Sequence, residues 1–224
     1  MRELSWLQKK RYEKDSDTSL EKYVGGGGER QASKYLQGIR DDHLGRYELV
    51  LPYVSPQAKV LDMACGVGYG SYMIASETNC QSILAVDISK DAIAYGESYY
   101  SSEKIQYRCD NCFTTDIEAA IYDIAISFET IEHIKDDETL LKIFFDSLKP
   151  EGLLFLSTPN QLEMPYTKDY FPFHVKHYLP SDLKVLVESS GFKILEVFSQ
   201  PNNTSREFIE GWNGKFNILV CLKM

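Results

Sequence analysis

Two periods of apolar residues alternate along this chain. Short apolar runs bounded by turn residues predict buried strands at Lys59–Met63, Ser82–Asp87, 105–108, 122–127, 153–157, 193–199 and 216–222. Between them, apolar positions at helical spacing predict helices over 69–76, 89–100, 136–148 and 180–190. Ser89 is placed to cap the second of these, with Asp91 in its first turn, and Gly191 to end the last. Leu140, Leu141, Ile143, Phe144 and Leu148 give the third an apolar face. The tetrapeptide Lys149, Pro150, Glu151, Gly152 reads as a turn.

Alternating strands and helices imply an α/β fold: a mostly parallel, seven-stranded sheet covered on both faces. The last two strands are joined without a convincing helix and are expected as an antiparallel pair at the sheet edge. Upstream, Leu36, Ile39, Leu44, Tyr47, Leu51 and Val54 predict a helix over 29–53, ended by Pro52 and Pro56. One domain is expected over 29–224, preceded by an extension over 1–28. Four consecutive glycines at 25–28 make its end a hinge. Two readings stand for it, a linker to a loosely attached arm and a lid hinge over a ligand.

The stretch KVLDMACGVGYG at 59–70 is where this pattern first suggests chemistry. A buried strand runs into Asp62, then a turn of small residues, then the apolar start of a helix. Glycines let a ligand approach the main chain, and the helix behind them points free N–H groups at it. Such a unit binds a nucleotide-like cofactor. The glycines run G-x-G-x-G at Gly66, Gly68 and Gly70, not the G-x-G-x-x-G of a dinucleotide fold. Asp87 closes the second strand, where a carboxylate can accept from two ribose hydroxyls. Asp110 and Asn111 follow the third, where an adenine edge would lie.

Composition narrows the partners. With 24 basic and 33 acidic residues the net charge is −9, which argues against broad contact with a phosphate backbone. No apolar run approaches the ~20 residues of a membrane helix. The charged N-terminus lacks the apolar core of a signal peptide, so a cytoplasmic location is expected. The five cysteines are scattered and expected as free thiols. Cys109 and Cys112 form a C-x-x-C without the second pair that a zinc site needs, so their expected role is structural or incidental.

VLDMACGVGYG, AVDIS, Asp110 with Asn111, ISFETIEHI and LKPEGLLFLSTPN, in that order and spacing, resemble class I S-adenosylmethionine-dependent methyltransferases. The resemblance implies a Rossmann-like sheet whose last strand is antiparallel, and S-adenosylmethionine as cofactor. It places backbone groups around Ala64, Gly66 and Gly68 on the methionine moiety and includes Asp62 in the cofactor site. Asp87 then binds the ribose, with Ile88 beside it, and Asp110 and Asn111 frame the adenine. Phe128 lies close to the cofactor, and Arg46 pairs with its methionine carboxylate. The segments ER at 29–30, HLGRYELV, SFETIEH, STPN and PFHVKHY also look like bacterial methyltransferases found with polysaccharide and glycosyl-transfer enzymes. They imply a sugar or glycolipid hydroxyl as acceptor.

Glu129, Glu132 and His133 follow the fourth strand as E-x-x-E-H. In a helical turn, spacings of three and four put all three on one face. Two carboxylates and an imidazole at one point can bind a divalent cation. Similar patterns in methyltransferases of ubiquinone precursors and small RNAs imply magnesium or a like metal. His177, or His174 near it, could add a ligand or touch substrate. Without a metal, His133, supported by Glu132, is the general base. The expected function is O-methylation of a sugar-like small molecule. N-methylation of an amino sugar, RNA 2′-O-methylation and a non-catalytic binding module are the alternatives.

Overall fold

The computed structural model describes residues 30–224, so the expected hinge and the arm before it lie outside the described residues. The sheet has eight strands, one more than expected. They are β1 (Lys59–Met63), β2 (Ser82–Asp87), β3 (Ile105–Cys109), β4 (Tyr122–Phe128), β5 (Leu148–Pro159), β6 (Phe192–Gln200), β7 (Ile209–Glu210) and β8 (Phe216–Lys223). Five helices are described: α1 (Asp41–Val50), α2 (Tyr69–Glu77), α3 (Lys90–Tyr99), α4 (Asp137–Ser147) and α5 (Pro180–Ser189).

The strand order is β3-β2-β1-β4-β5-β8-β6-β7. β1 through β5 run parallel, whereas β8 is antiparallel to both β5 and β6. Alternation along each strand feeds two apolar layers. Val60, Ile124, Phe155 and Val220 pack with Tyr47, Ile74 and Tyr95 of α1, α2 and α3. Leu61, Ala125, Leu154 and Leu219 pack with Leu140, Phe144 and Leu183 of α4 and α5. Helices therefore cover both faces.

Three expectations need correction. The helix over 29–53 is only α1, preceded by a 3-10 turn at Leu36–Gly38 and followed by another at Leu51–Tyr53. Leu36 and Ile39 are buried, but from a tight turn, so their spacing imitated one continuous helix. Asp41 and Asp42 open the true helix, where carboxylates meet its positive end. The expected turn at 149–152 is a bulge inside a longer β5. Tyr122 pairs with Leu148, and Ile124 next pairs with Leu153.

The last two strands do pair antiparallel, but not as an edge pair. β8 inserts between β5 and β6, and the edge is the two-residue β7. The insertion matters for the site. It sets Gln200, the end of β6, opposite Phe216, the start of β8, at the end of the sheet where β4 and β5 finish.

Candidate active site

A cavity of about 580 Å³ opens where β1, β2 and β4 end. The chain leaves β1 toward β2 and β3, and leaves β4 toward β5 in the other direction. This is the switch point at which parallel α/β sheets bind ligands.

The three glycines after β1 do different work. A Cβ on Gly66 (φ +58°) would meet open space, and this residue lines the cavity. A Cβ on Gly68 (φ +79°) would lie 2.2 Å from the Tyr107 hydroxyl, and one on Gly70 would lie 2.0 Å from the Tyr47 ring. Gly66 thus leaves room for a ligand, and the other two leave room for tyrosines that close the core behind the loop. Ala64 also lines the cavity and holds a left-handed backbone at φ 61°.

Asp62 does not belong to the cavity wall. Its buried carboxylate accepts from Ser71 Oγ at 2.6 Å and from the Tyr47 hydroxyl at 3.1 and 3.2 Å. Burial pushes its pKa up to about 6, against the pull of those two hydroxyl donors. Asp62 therefore ties β1 to α1 and α2. Gly68 is likewise packed behind the wall, as the N-cap residue of α2.

Asp87 does face the cavity. One carboxylate oxygen accepts from the Gly66 N–H at 2.9 Å, and the other from the Ser89 N–H at 2.8 Å. Arg30 donates to the latter oxygen at 3.3 Å. Ile88, Asp110 and Asn111 line the same end, and Ile88 is exposed. Asn111 is fixed by its side-chain oxygen, which accepts from the Phe113 N–H at 2.9 Å. Cys112 lines this end too, whereas Cys109 is exposed.

At the opposite end stands Arg46, 1% exposed, with its guanidinium held from several sides. Nε donates to Gln200 Oε1 at 2.9 Å and Nη2 to Asp42 Oδ2 at 3.3 Å. The Phe216 ring lies 4.7 Å beneath it. Nη1 is buried without a hydrogen-bond partner and sits 3.8 Å from Glu129 Oε1. A buried guanidinium N–H left open at a cavity is a seat for an anion. Phe128 and Tyr47 meet edge to face at 5.1 Å and close the middle of the cavity.

The E-x-x-E-H segment does not present one face. Glu129 takes a left-handed backbone (φ 50°) and stands before the turn, which is a 3-10 turn at Ile131–His133. Glu129 parts from the other two. Glu129 turns toward Arg46 and accepts from Ser157 Oγ at 2.7 Å. Glu132 turns inward, 1% exposed, and accepts from Thr158 Oγ1 at 3.0 Å. Its Oε1 has no partner, and burial, then the Glu129 charge, holds its pKa well above the carboxylate range. His133 turns to the cavity with Thr130, Ile134 and Phe173.

His133 Nδ1 lies 3.1 Å from the Phe173 carbonyl oxygen. A carbonyl only accepts, so a neutral His133 carries its proton on Nδ1 and its lone pair on Nε2. The same logic fixes two more imidazoles. His177 Nδ1 bonds the Met164 carbonyl, and His174 Nδ1 lies 2.7 Å from His177 Nε2. His174 then keeps its lone pair on Nε2. Burial, helped by the neighbouring His133 charge, brings the His174 pKa down to about 4; burial also lowers that of His177.

One ligand atom from each of Glu132, His133 and His174 lies within 4.8 Å of the others. Of the four expected ligands, this group contains Glu132 and His133. Glu129 is hydrogen-bonded to Ser157 and lies 3.8 Å from Arg46, and His177 is hydrogen-bonded to His174; neither joins the group.

The cavity residues that escaped the sequence reading as site residues include His43, Tyr47 and Tyr69. His43 Nδ1 lies 3.0 Å from the Tyr69 hydroxyl, and burial, then Arg46 and Arg40, keeps its pKa well below the usual imidazole value.

A family model described as a methyltransferase domain matches residues 35–197. A probable S-adenosylmethionine-dependent methyltransferase of Mycolicibacterium smegmatis is 26% identical over 187 residues, 80% of this chain and 70% of that protein. Ubiquinone biosynthesis O-methyltransferase of Coxiella burnetii is 27% identical over 157 residues, 62% of this chain and 64% of that protein. Phosphoethanolamine N-methyltransferase 1 of Triticum aestivum is 29% identical over 146 residues, 60% and 28% respectively. The chain thus spans between 28% and 70% of the length of these relatives. Among solved structures, an S-adenosylmethionine-dependent methyltransferase of Mesorhizobium loti superposes with a TM-score of 0.66 at 16% identity, covering 79% of this chain and 95% of its own.

Proposed function

Given that the chain belongs to the methyltransferase-domain family of S-adenosylmethionine-dependent enzymes, we propose that it methylates a hydroxyl of a small, sugar-like acceptor, with His133 as general base. The observation that carries this reading is the placement of His133. It lines the same cavity as Arg46, Gly66 and Asp87, and the Phe173 carbonyl directs its lone pair to Nε2.

The residues present suit the cofactor. Arg46 Nη1 is a buried donor without a hydrogen-bond partner, Gly66 leaves its Cβ direction open, and Asp87 offers a carboxylate at a strand end. Arg46 would hold the methionine carboxylate, the Gly66 backbone and Ala64 the methionine chain, and Asp87 the ribose. Ile88, Asp110 and Asn111 would hold the adenine, with Phe128 against the middle. When bound, the cofactor supplies a sulfonium whose methyl group is already activated. The chain must place the acceptor oxygen in line, exclude water and take the hydroxyl proton at His133 Nε2. Phe173 on the cavity rim and Tyr170 near it in sequence are exposed aromatic faces, suited to stacking on a sugar ring.

Calorimetry with S-adenosylhomocysteine and transfer of labelled methyl to a panel of sugars and nucleotide sugars test the reading. Saturable binding and a base-stable methyl ether are expected. Absence of binding would overturn the cofactor, and label found only on amines would overturn the hydroxyl acceptor.

One observation supports a second reading, in which a divalent cation orients the acceptor. Glu132 carries a buried, unpartnered oxygen, and one ligand atom from each of Glu132, His133 and His174 lies within 4.8 Å of the others. Imidazole and carboxylate together suit manganese, iron or zinc better than magnesium. His133 would then be a ligand, and the hydroxyl would lose its proton at the cation. Exhaustive chelation should in that case remove activity, and manganese should restore it. Full activity after chelation leaves His133 as the base.

A further inference from the structure

Glu129 has a place in the cavity that neither proposed metal chemistry nor proton transfer uses. Its backbone N–H donates to the Ser157 carbonyl and hydroxyl oxygens, both at 3.1 Å, and its side chain accepts from Ser157 Oγ at 2.7 Å. The left-handed backbone at φ 50° is strained for a residue with a side chain, by roughly 1–2 kcal/mol. Such strain persists where the surroundings enforce it and gathers at ligand clamps. Here it sets a carboxylate beside Arg46 Nη1.

The spacing of this pair is informative. Glu129 Oε1 and Arg46 Nη1 are 3.8 Å apart, longer than the ~2.7–2.9 Å of a charge-assisted hydrogen bond, and Nη1 has no hydrogen-bond partner. Both residues line the cavity. A cation and an anion side by side, not consumed by one another, complement a group carrying both charges. An α-amino acid does so, with carboxylate and ammonium on one carbon.

We propose that Glu129 binds the α-ammonium of the cofactor's methionine moiety while Arg46 binds its carboxylate, so that the pair reads the amino-acid head of the ligand. This rests on the cofactor reading above and deepens it. It also takes Glu129 out of the cation set, in agreement with the way it parts from Glu132 and His133. The Ser157 hydroxyl holds Glu129 in position.

The test compares two ligands by calorimetry in the presence of chelator: S-adenosylhomocysteine and its deamino analogue, which keeps the carboxylate and lacks the amine. Glu129→Gln should weaken S-adenosylhomocysteine by roughly 10- to 100-fold, the scale of a hydrogen bond to a charged group. The analogue should bind both proteins within about 3-fold, because the group that Glu129 reads is missing from it. Ser157→Ala, which frees the carboxylate to move, should shift affinity the same way by less, and melting curves confirm that each variant is folded. Equal losses for both ligands, no loss, or a loss that appears only on adding magnesium would overturn the proposal. Failure of the unaltered chain to bind either compound would instead remove the cofactor reading, and this proposal with it.

Discussion

Replacing His133 by alanine is expected to lower the turnover number by about 10²- to 10⁴-fold, the range of a positioned general base, with S-adenosylhomocysteine affinity unchanged. His133 faces the cavity from a 3-10 turn. Its ring packs at 4.5 Å against His174, outside the two main apolar layers, so truncation should cost little stability. The residues expected to grip the cofactor, Arg46 and Asp87, make no hydrogen bond to it among the described residues. Binding and chemistry should therefore separate. Single-turnover transfer of labelled methyl measures the first effect and calorimetry the second. Unchanged turnover would remove His133 from the reaction. A parallel loss of cofactor affinity would mean that the cavity had collapsed.

Phe173 carries a second consequence. Its carbonyl, not its side chain, sets the His133 tautomer, so a change at position 173 that keeps the backbone should spare the base. What Phe173 adds through its ring is a surface at the mouth of the cavity. Under the proposed function, acceptor selectivity and proton transfer would meet in this residue through different atoms.

Features that depend on local sequence were legible. Asp87 stands at a strand end, and Ser89 caps α3 by accepting from the Ala92 N–H at 3.2 Å, both as read from the pattern. The parallel core from β1 to β5 follows from alternating periods alone. Features set by tertiary contacts were not. The three glycines look equivalent in sequence, but Tyr107 and Tyr47 claim two of them from distant positions. E-x-x-E-H reads as one face only if the turn is α-helical and includes Glu129. The left-handed step at Glu129 and the 3-10 geometry break that spacing. Gln200 carries no local signal, since it reaches Arg46 only through the insertion of β8. A signal for His43 did exist. In DDHLGRYELV the polar residues Asp42, His43 and Arg46 recur on one side of α1, and all three are largely withdrawn from solvent.

Arg46→Ala should be the most disruptive single change at this site. Removing the guanidinium leaves Asp42, fully buried, without its fully buried partner, and Gln200 without the N–H that its oxygen accepts. Breaking a buried charge pair from one side costs about 3–5 kcal/mol, and the void over Phe216 adds to it. Arg40 still reaches Asp42 through two hydrogen bonds, which keeps the loss toward the lower end. The informative variant is Arg46→Lys. It retains charge and most of the volume, so the chain should fold. A single ammonium cannot serve Gln200, Asp42 and a ligand anion in three directions as the planar fork does. S-adenosylhomocysteine should therefore bind roughly 10- to 100-fold more weakly, the scale of a hydrogen bond to a charged group. Methylthioadenosine, which has no amino-acid head, should bind both proteins alike. Calorimetry with the two ligands, beside a melting curve for each variant, separates the clamp from the scaffold. Equal weakening of both ligands would mean that Arg46 only braces α1 against β6 and β8, and that the anion seat lies elsewhere in the cavity.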